Sequence, residues 1–585
     1  MDNNKTFMFM LVIAVISIGV TWYFFLTNKN KQLENSQIEN KLTNEVHDTK
    51  KENLTQLDQV LDSQFDIVGT KQTEKYDLIF ENKNIKVIFN PNDAIIQNFY
   101  VKDTFLNRKD IQMYDLVQGD EKNGALRIKF GSWENEKTIS SLTGGKDLFN
   151  YKREDDKFIF SITLKKKDSD VLYTITKVYT FLEDENIFKL DIDISNNKNL
   201  PINFDNSGVA FSIAWGPLLG LQSRVSRDQA KNRYNTFAYY KNDKKVEKID
   251  INNKNIKNNR YFYSMSKDGN DGWVSSSEHY FAAIIYPDNQ NYRYIFDYRD
   301  TQNKNYYSGL ARDTKDKSIL KSTFYIYVGP KIGSFLKKYN NFEKDNFFLK
   351  DTKISKIEEP IMFGLGNLIG IFLKFIYDIV KNYGLAIIIL TIIIKLLLSP
   401  LTHKSMMGQE KMSKLQPKIK ALQEKYKDKP ELLNKETMNL YKKEGINPLS
   451  GCLPLLLQMP ILMAMYTLLD KMVELKGASF LWIKDLSIGD AVLTFPFVLP
   501  LVNISSLNIL PIIMTTVSVF STMLTPNMDG NKQTKMMMWM MPLVFFFLFY
   551  NVSSGLVLYW TVMNILNLLQ QLYINKIKKR VVKTA

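Results

Sequence analysis

The sequence predicts a polytopic α-helical membrane protein that carries an all-β domain outside the bilayer. Three observations lead there. Phe7 to Leu26 is a run of 20 residues without a charge, long enough to cross a hydrocarbon core of about 30 Å. From Tyr76 to Phe347 short runs alternate apolar and polar residues, the period-2 pattern of half-buried strands. From about residue 360 the chain turns strongly apolar. There LAIIILTIIIKLLLSPLTHK, Leu385 to Lys404, places Lys395 with three aliphatic residues on either side.

Residues 1–27 read as a membrane anchor. A cleavable signal peptide would have a shorter apolar core and a small-x-small cleavage site, whereas Trp22, Tyr23, Phe24 and Phe25 stand there. Residues 28–75 are polar and charged, the composition of a tether with no core of its own. Residues 76–350 are the β domain. In FKLDIDIS, Phe188, Leu190, Ile192 and Ile194 point one way and Lys189, Asp191 and Asp193 the other, and VLYTITKVYTF, KFIFSITL and STFYIYVGP repeat the pattern of a β-sandwich. Residues 360–383 hold an amphipathic helix, with Lys374, Asp378 and Lys381 on one face, lying in the membrane interface.

Further spans are predicted at about 384–401, 449–469, 507–524, 536–552 and 555–572, which with the N-terminal anchor makes six transmembrane helices. The second span fills a segment 384–402. A helical hairpin follows at 403–446, then spans three to six at 447–575 and a basic tail at 576–585. His403 to Gly445 carries 11 lysines against six acids, while 471–490 carries three against three, so the hairpin is cytoplasmic by the positive-inside rule. Its first arm has the stripe Met412, Leu415, Ile419, Leu422 and Tyr426, with Pro417 bending it. The stretch 491–504 contains Pro496 and Pro500 and is short for a span. A seventh crossing there would also export Lys532, Lys535 and the tail lysines, so it is read as interfacial.

A single cysteine, Cys452, excludes an intramolecular disulfide. His47, His279 and His403 are far apart and no Cys/His pair has zinc-site spacing; GxxxxGK[ST] and GxGxxG are both missing. No metal, nucleotide or other cofactor is expected, and no enzyme activity. Glu278 and His279 in the β domain are two isolated polar residues, too little for a sugar site.

At LTIIIKLLLSPLT, LQPKIKALQEKY, NPLSGCLPLLLQMPILMAMY and SSGLVLYW the chain resembles the YidC/Oxa/Albino family of membrane protein insertases. The likeness is most specific over 360–575, and in the outer domain it rests on DGWVSSSEHYFAAIIYP and YVGPKIGSFL. The large outer domain resembles the Gram-negative form, which implies a periplasmic β-supersandwich and residence in the inner membrane with both termini cytoplasmic. The resemblance implies insertion and folding of other membrane proteins, alone or with the Sec translocon, without nucleotide. Implied partners are nascent membrane proteins and the bilayer, with the ribosome and the signal recognition particle receptor as further ones.

The family's hydrophilic groove holds one cation, normally arginine. This sequence has Lys395 there, and no arginine lies between Arg312 and Arg580. Thr391, one turn away, together with Gln458, Asn564 and Asn567, is expected to keep the groove wet. By the same resemblance Met459 and Pro460 on the third span and Phe545, Phe546, Leu548 and Phe549 on the fifth meet the client, with Tyr559 also assigned to the groove. Each has a plainer reading: Lys395 as a snorkelling lysine five residues before Pro400, the amides as helix glue, the methionine and aromatic residues as bundle packing. The tail lysines read as a topology anchor or as a weak contact with ribosomal RNA. A second function class, a secondary transporter with a periplasmic substrate-capture domain, would call for paired repeats and several intramembrane charges. Lys395 is the one such charge in the spans.

Overall fold

A computed structural model describes residues 64–69, 76–106, 111–117, 123–131, 133, 137–143, 148–202, 204, 208–217, 236–241, 245–250, 262–265, 271–288, 292–300, 305–313, 318–357, 364–427, 429–445, 453–499, 504–524 and 532–584. The expected N-terminal anchor and most of the tether lie outside the described residues.

Strands form where the sequence alternates. In Ile187–Asn196, Phe188, Leu190, Ile192 and Ile194 are buried while Lys189, Asp191 and Asp193 are half-buried on the other face. This strand pairs antiparallel with Leu172–Phe181 and with Ile319–Pro330, so that Ile192 stands between Lys177 and Ser322. The ladder extends into a ten-stranded sheet ordered 65–68, 157–166, 172–181, 187–196, 319–330, 281–287, 271–277, 236–241 and 245–250, with 150–154 branching from 157–166. A five-stranded sheet, a four-stranded sheet and a two-stranded one, Phe342–Lys344 with Phe347–Leu349, complete the domain. Phe99, Phe158, Trp215 and Val274 meet in one apolar core.

Phe65–Val68 corrects the reading of 28–75 as a tether throughout. It pairs with Thr163–Lys166 at the sheet edge, and Phe65 is buried with ring contacts to Tyr173 at 5.9 Å and Phe204 at 6.1 Å. Four residues flanked by polar sequence are too few for periodicity to register.

The sheet also buries a charge. Lys177 donates from Nζ to the carbonyls of Ala94 (2.5 Å) and Leu126 (2.8 Å), two residues held at φ 47° and 62°. Burial lowers its pKa to about 7.

Beyond the β domain run α1 (Leu365–Val380), α2 (Tyr383–Lys414), α3 (Gln416–Lys425), α4 (Pro430–Lys443), α5 (Leu453–Lys471), α6 (Ile509–Leu524), α7 (Lys532–Phe549) and α8 (Ser554–Thr584). α1 buries Gly366, Ile369, Leu373 and Ile376 and exposes Lys374 and Asp378. Its cap, Lys381, is left-handed at φ 52°, and Asn382 Oδ1 then accepts from the Leu385 N–H to start α2. Phe480 lies over Gly384, where an added Cβ would come within 2.1 Å of its ring.

α2 does not stop at the expected boundary near 402. It passes Pro400 and runs to Lys414, and the break comes at Leu415, just before Pro417 in the first turn of α3. The first arm of the hairpin is therefore the end of α2 plus α3. Met412, Leu415 and Ile419 are buried along it, and Lys418 pairs with Glu444 at 2.7 Å to tie it to the end of α4.

Among the described residues one helical stretch, Tyr383–His403, is long and apolar enough to cross a membrane by length and composition. Ile509–Leu524 and Trp539–Phe549 are apolar but shorter. The helices share a core that includes Leu390 of α2, Met465 of α5, Met514 of α6 and Trp560 of α8. The stretch read as interfacial folds as an antiparallel β-ribbon, Ala491–Leu499 with Ile504–Asn508.

The turn after α5 rests on the β domain. Val473 joins its core, and the Lys476 ammonium lies over the rings of Tyr114 (4.9 Å), Tyr280 (5.3 Å) and Phe281 (5.9 Å). His279 Nε2 lies 2.5 Å from the Asp470 carbonyl. α5 thus has the β domain at its C-terminal end, and its N-terminal end follows the α3–α4 hairpin in the chain.

Candidate functional site: a polar seam between helices

α8 has helical spacing that sends two pairs of amides in two directions. Asn564 and Gln571, seven residues apart, share one stripe, and Asn567 and Gln570 share the next. Toward α6, Asn564 Nδ2 donates to Ser518 Oγ at 2.9 Å and Ser521 Oγ donates to Gln571 Oε1 at 3.3 Å. Toward α2, the Lys395 ammonium donates to Asn567 Oδ1, and Thr402 Oγ1 lies 3.5 Å from Gln570. Lys395 is only 6% exposed. Its ammonium is held by α8, so it is a buried, hydrogen-bonded group.

The other expected groove residues separate into open and covered ones. Leu548 (62% exposed) and Pro460 are exposed, and Gln458, Met459, Phe545 and Phe546 are half-buried. Thr391 is fully buried and its hydroxyl donates to the Ile387 carbonyl at 2.6 Å, so it is committed to its own helix. Phe549 is buried and stacked on Trp560 at 5.7 Å, and Tyr559 is buried in the bundle. For these three the packing reading describes what the side chains touch. In the β domain, Glu278 Oε1 accepts from the Tyr280 and Phe281 N–H groups (3.0 and 3.1 Å). His279 Nε2 lies against the Asp470 carbonyl.

A family model described as "60Kd inner membrane protein" matches residues 375–581, and one described as "YidC periplasmic domain" matches residues 81–346. The membrane protein insertase YidC of Treponema denticola is 32% identical over 529 residues, covering 86% of each chain. The chain belongs to the YidC family of membrane protein insertases. The YidC of Chlorobaculum tepidum is also 32% identical, over 80% of this chain and 76% of its own. A crystal structure of an active YidC insertase with its first transmembrane domain resolved is 19% identical, covering 88% of this chain and 96% of that one with a TM-score of 0.35. That score adds nothing to the assignment.

In this YidC-family chain the sequence pointed to Lys395, Asn564 and Asn567 but missed Ser518, Ser521, Thr402, Gln570 and Gln571, which complete the seam. The signal was available for the glutamines, three and seven residues beyond Asn567 and Asn564 on the same helix. It also missed Leu543, Val544 and Phe547, which with Leu548 make the exposed apolar face of α7. They lie one, four and five residues before Leu548, within reach of its side of the helix.

Proposed function

We propose that this insertase accepts a hydrophobic client segment along the seam between α2, α6 and α8. The client's polar flank is solvated near Lys395 while its apolar side meets Met459 and Pro460 of α5 and Phe545, Phe546 and Leu548 of α7. The observation that carries the reading is the inward, buried Lys395 on Asn567. An ammonium has three N–H donors. Asn567 is its hydrogen-bond partner among the described residues, and the remaining donors call for oxygen from water or from a client. A client that keeps its polar groups in such a seam avoids taking them through bare hydrocarbon, where each would cost several kcal/mol.

The topology proposed with it has six spans, both termini and the α3–α4 hairpin in the cytoplasm, and the β domain in the periplasm. It is supported by the lysine-rich hairpin and by the β domain resting on the far end of α5. The apolar stretch of α7 is short, Trp539–Phe549, which favours a locally thinned bilayer beside the seam. Nascent membrane proteins are the clients. The Sec translocon, the ribosome and the signal recognition particle receptor are proposed as partners on family grounds.

Proteoliposomes holding the pure protein should insert a small, Sec-independent membrane protein. Solute uptake without insertion would overturn the reading in favour of a transporter.

A further inference from the structure

The β-ribbon is anchored at its base to the helices, and side chains next to that base are exposed. Asp490 Oδ2 accepts from the Leu510 N–H of α6 (2.7 Å) and from Trp482 Nε1 (3.0 Å). Asn508 Nδ2 donates to the Tyr550 carbonyl at the end of α7 (2.7 Å), and the Tyr550 hydroxyl donates back to the Ser506 carbonyl (2.8 Å). Tyr550 in turn touches Phe546, ring centroids 5.2 Å apart. The base therefore moves with the ends of α6 and α7, on the side of the bundle where the turn after α5 meets the β domain.

Past that base no residue from Ala491 to Leu507 is charged. Val492 is 53% exposed, Leu493 55% and Leu507 36%. Leu493 and Leu507 are direct register partners and share a face, while Thr494, exposed, and its partner Ser506, buried, put hydroxyls on the other, otherwise apolar parity. Leu481 and Trp482 beside the base are also exposed. Exposed apolar residues also stand on the helices that the ribbon's base adjoins, Ile512 and Phe520 of α6 and Leu543, Val544 and Phe547 of α7.

We propose that the ribbon lies flat in the lipid interface on the β-domain side, its Leu493/Leu507 face against the acyl chains and its Thr494 face toward the headgroups. Water is excluded as the neighbour on the leucine face by the same rule that makes an uncharged apolar strand pair an aggregation hazard. Hydrocarbon is excluded as the medium for the whole ribbon by its edges. Nine residues of strand reach about 30 Å, enough to cross, but a two-stranded ribbon leaves the outer N–H and C=O groups of both strands unpaired, which the hydrocarbon core does not tolerate. The interface satisfies both conditions, because headgroups and their water bond the edges while the leucine face sinks about 5 to 10 Å toward the acyl boundary. Trp482 at the base has the side chain that prefers this level.

The test uses the full chain in proteoliposomes, with Cys452 replaced by serine and one environment-sensitive fluorophore on Leu493→Cys, Leu507→Cys or Thr494→Cys. Lipids carry a spin label on the headgroup, at the headgroup end of an acyl chain, or at its tip. The probes at 493 and 507 should behave alike. Both should be quenched several-fold more strongly by the label at the upper acyl chain than by the one at the tip, and should resist aqueous iodide. The probe at 494 should respond most to the headgroup label. Strong iodide quenching at 493 and 507 would put the ribbon in water, and preference for the tip label would put it in the hydrocarbon core. Protection from every quencher would mean that protein covers it, and unequal depths at 493 and 507 would mean that it does not lie flat. Each of these overturns the proposal.

Discussion

Replacing Lys395 separates a charge that works from one that is merely tolerated. If a client's acidic flank comes within about 6 Å of the ammonium at an effective dielectric near 20, the attraction is roughly 3 kcal/mol. Hydration and the mobility of a sliding segment reduce the part realised at the insertion barrier to about 1.4 kcal/mol, or tenfold in rate. Lys395→Leu should therefore slow clients with acidic translocated segments about tenfold and neutral clients little, Lys395→Arg should retain insertion, and Lys395→Glu should be worst for acidic clients. The complication is folding, because Lys395 and Asn567 are hydrogen-bonded in a buried position. Removing one partner costs about 1 to 3 kcal/mol, whereas replacing both by apolar groups is nearly neutral. The double variant Lys395→Leu with Asn567→Leu should thus recover the stability that either single variant loses, yet keep the defect toward acidic clients. Thermal unfolding in detergent and a reconstituted insertion assay with matched acidic and neutral clients read the two effects independently. If the double variant, at parental abundance, inserts both clients as well as the parent, the charge has no part in insertion.

Lys177 makes the β domain pH-sensitive: burial holds its folded pKa at about 7, below the ordinary lysine value of 10.5, so between them the unfolded chain holds more protons and stability rises with pH. From about pH 7 to about pH 9 this group should add about 2 kcal/mol, and Lys177→Met should remove that increment from the denaturant midpoint of the domain followed by tryptophan fluorescence in the full chain. Lys476→Ala removes an ammonium from three ring faces, worth about 1 to 2 kcal/mol together. It should loosen the turn after α5, read as faster proteolysis near 470–476, with insertion unchanged. Removing 406–444 should abolish insertion, while deleting about residues 80 to 320 should leave it largely intact; the reverse pattern would move the function out of the helical bundle. A membrane-impermeant thiol probe should label a cysteine introduced near Lys532 only after the cell is opened.

How much of this was legible in the sequence depends on whether the deciding contact is local. The inward parity of Phe188, Leu190, Ile192 and Ile194 is a property of eight residues, and the structure buries those four. Lys177 was equally legible, since it shares parity with Ile175 and Tyr179, both buried; only its acceptors, the Ala94 and Leu126 carbonyls, lie beyond any local pattern. The break between α2 and α3 could be placed near Pro417 but not the continuation of α2 past Pro400, because a helix tolerates proline when its neighbours hold it. The ribbon was illegible for the opposite reason. AVLTFPFVLPLV is apolar on both parities, so neither a two-residue nor a 3.6-residue period stands out, and charge and length could only exclude a span. The seam lies between these cases. Helical spacing along α8 puts Asn564 with Gln571 and Asn567 with Gln570, but which pair meets Lys395 depends on how α8 is rotated about its axis. That rotation is set by contacts far from the amides: the Ser554 and Gly555 N–H groups donate to the Ile488 and Leu486 carbonyls at 2.8 and 2.9 Å, and Trp560 stacks on Phe549. The loop that docks on the β domain at Lys476 thus also seats the start of α8, and through it the orientation of Asn567 toward Lys395, the one charged side chain buried in a helix of the bundle among the described residues.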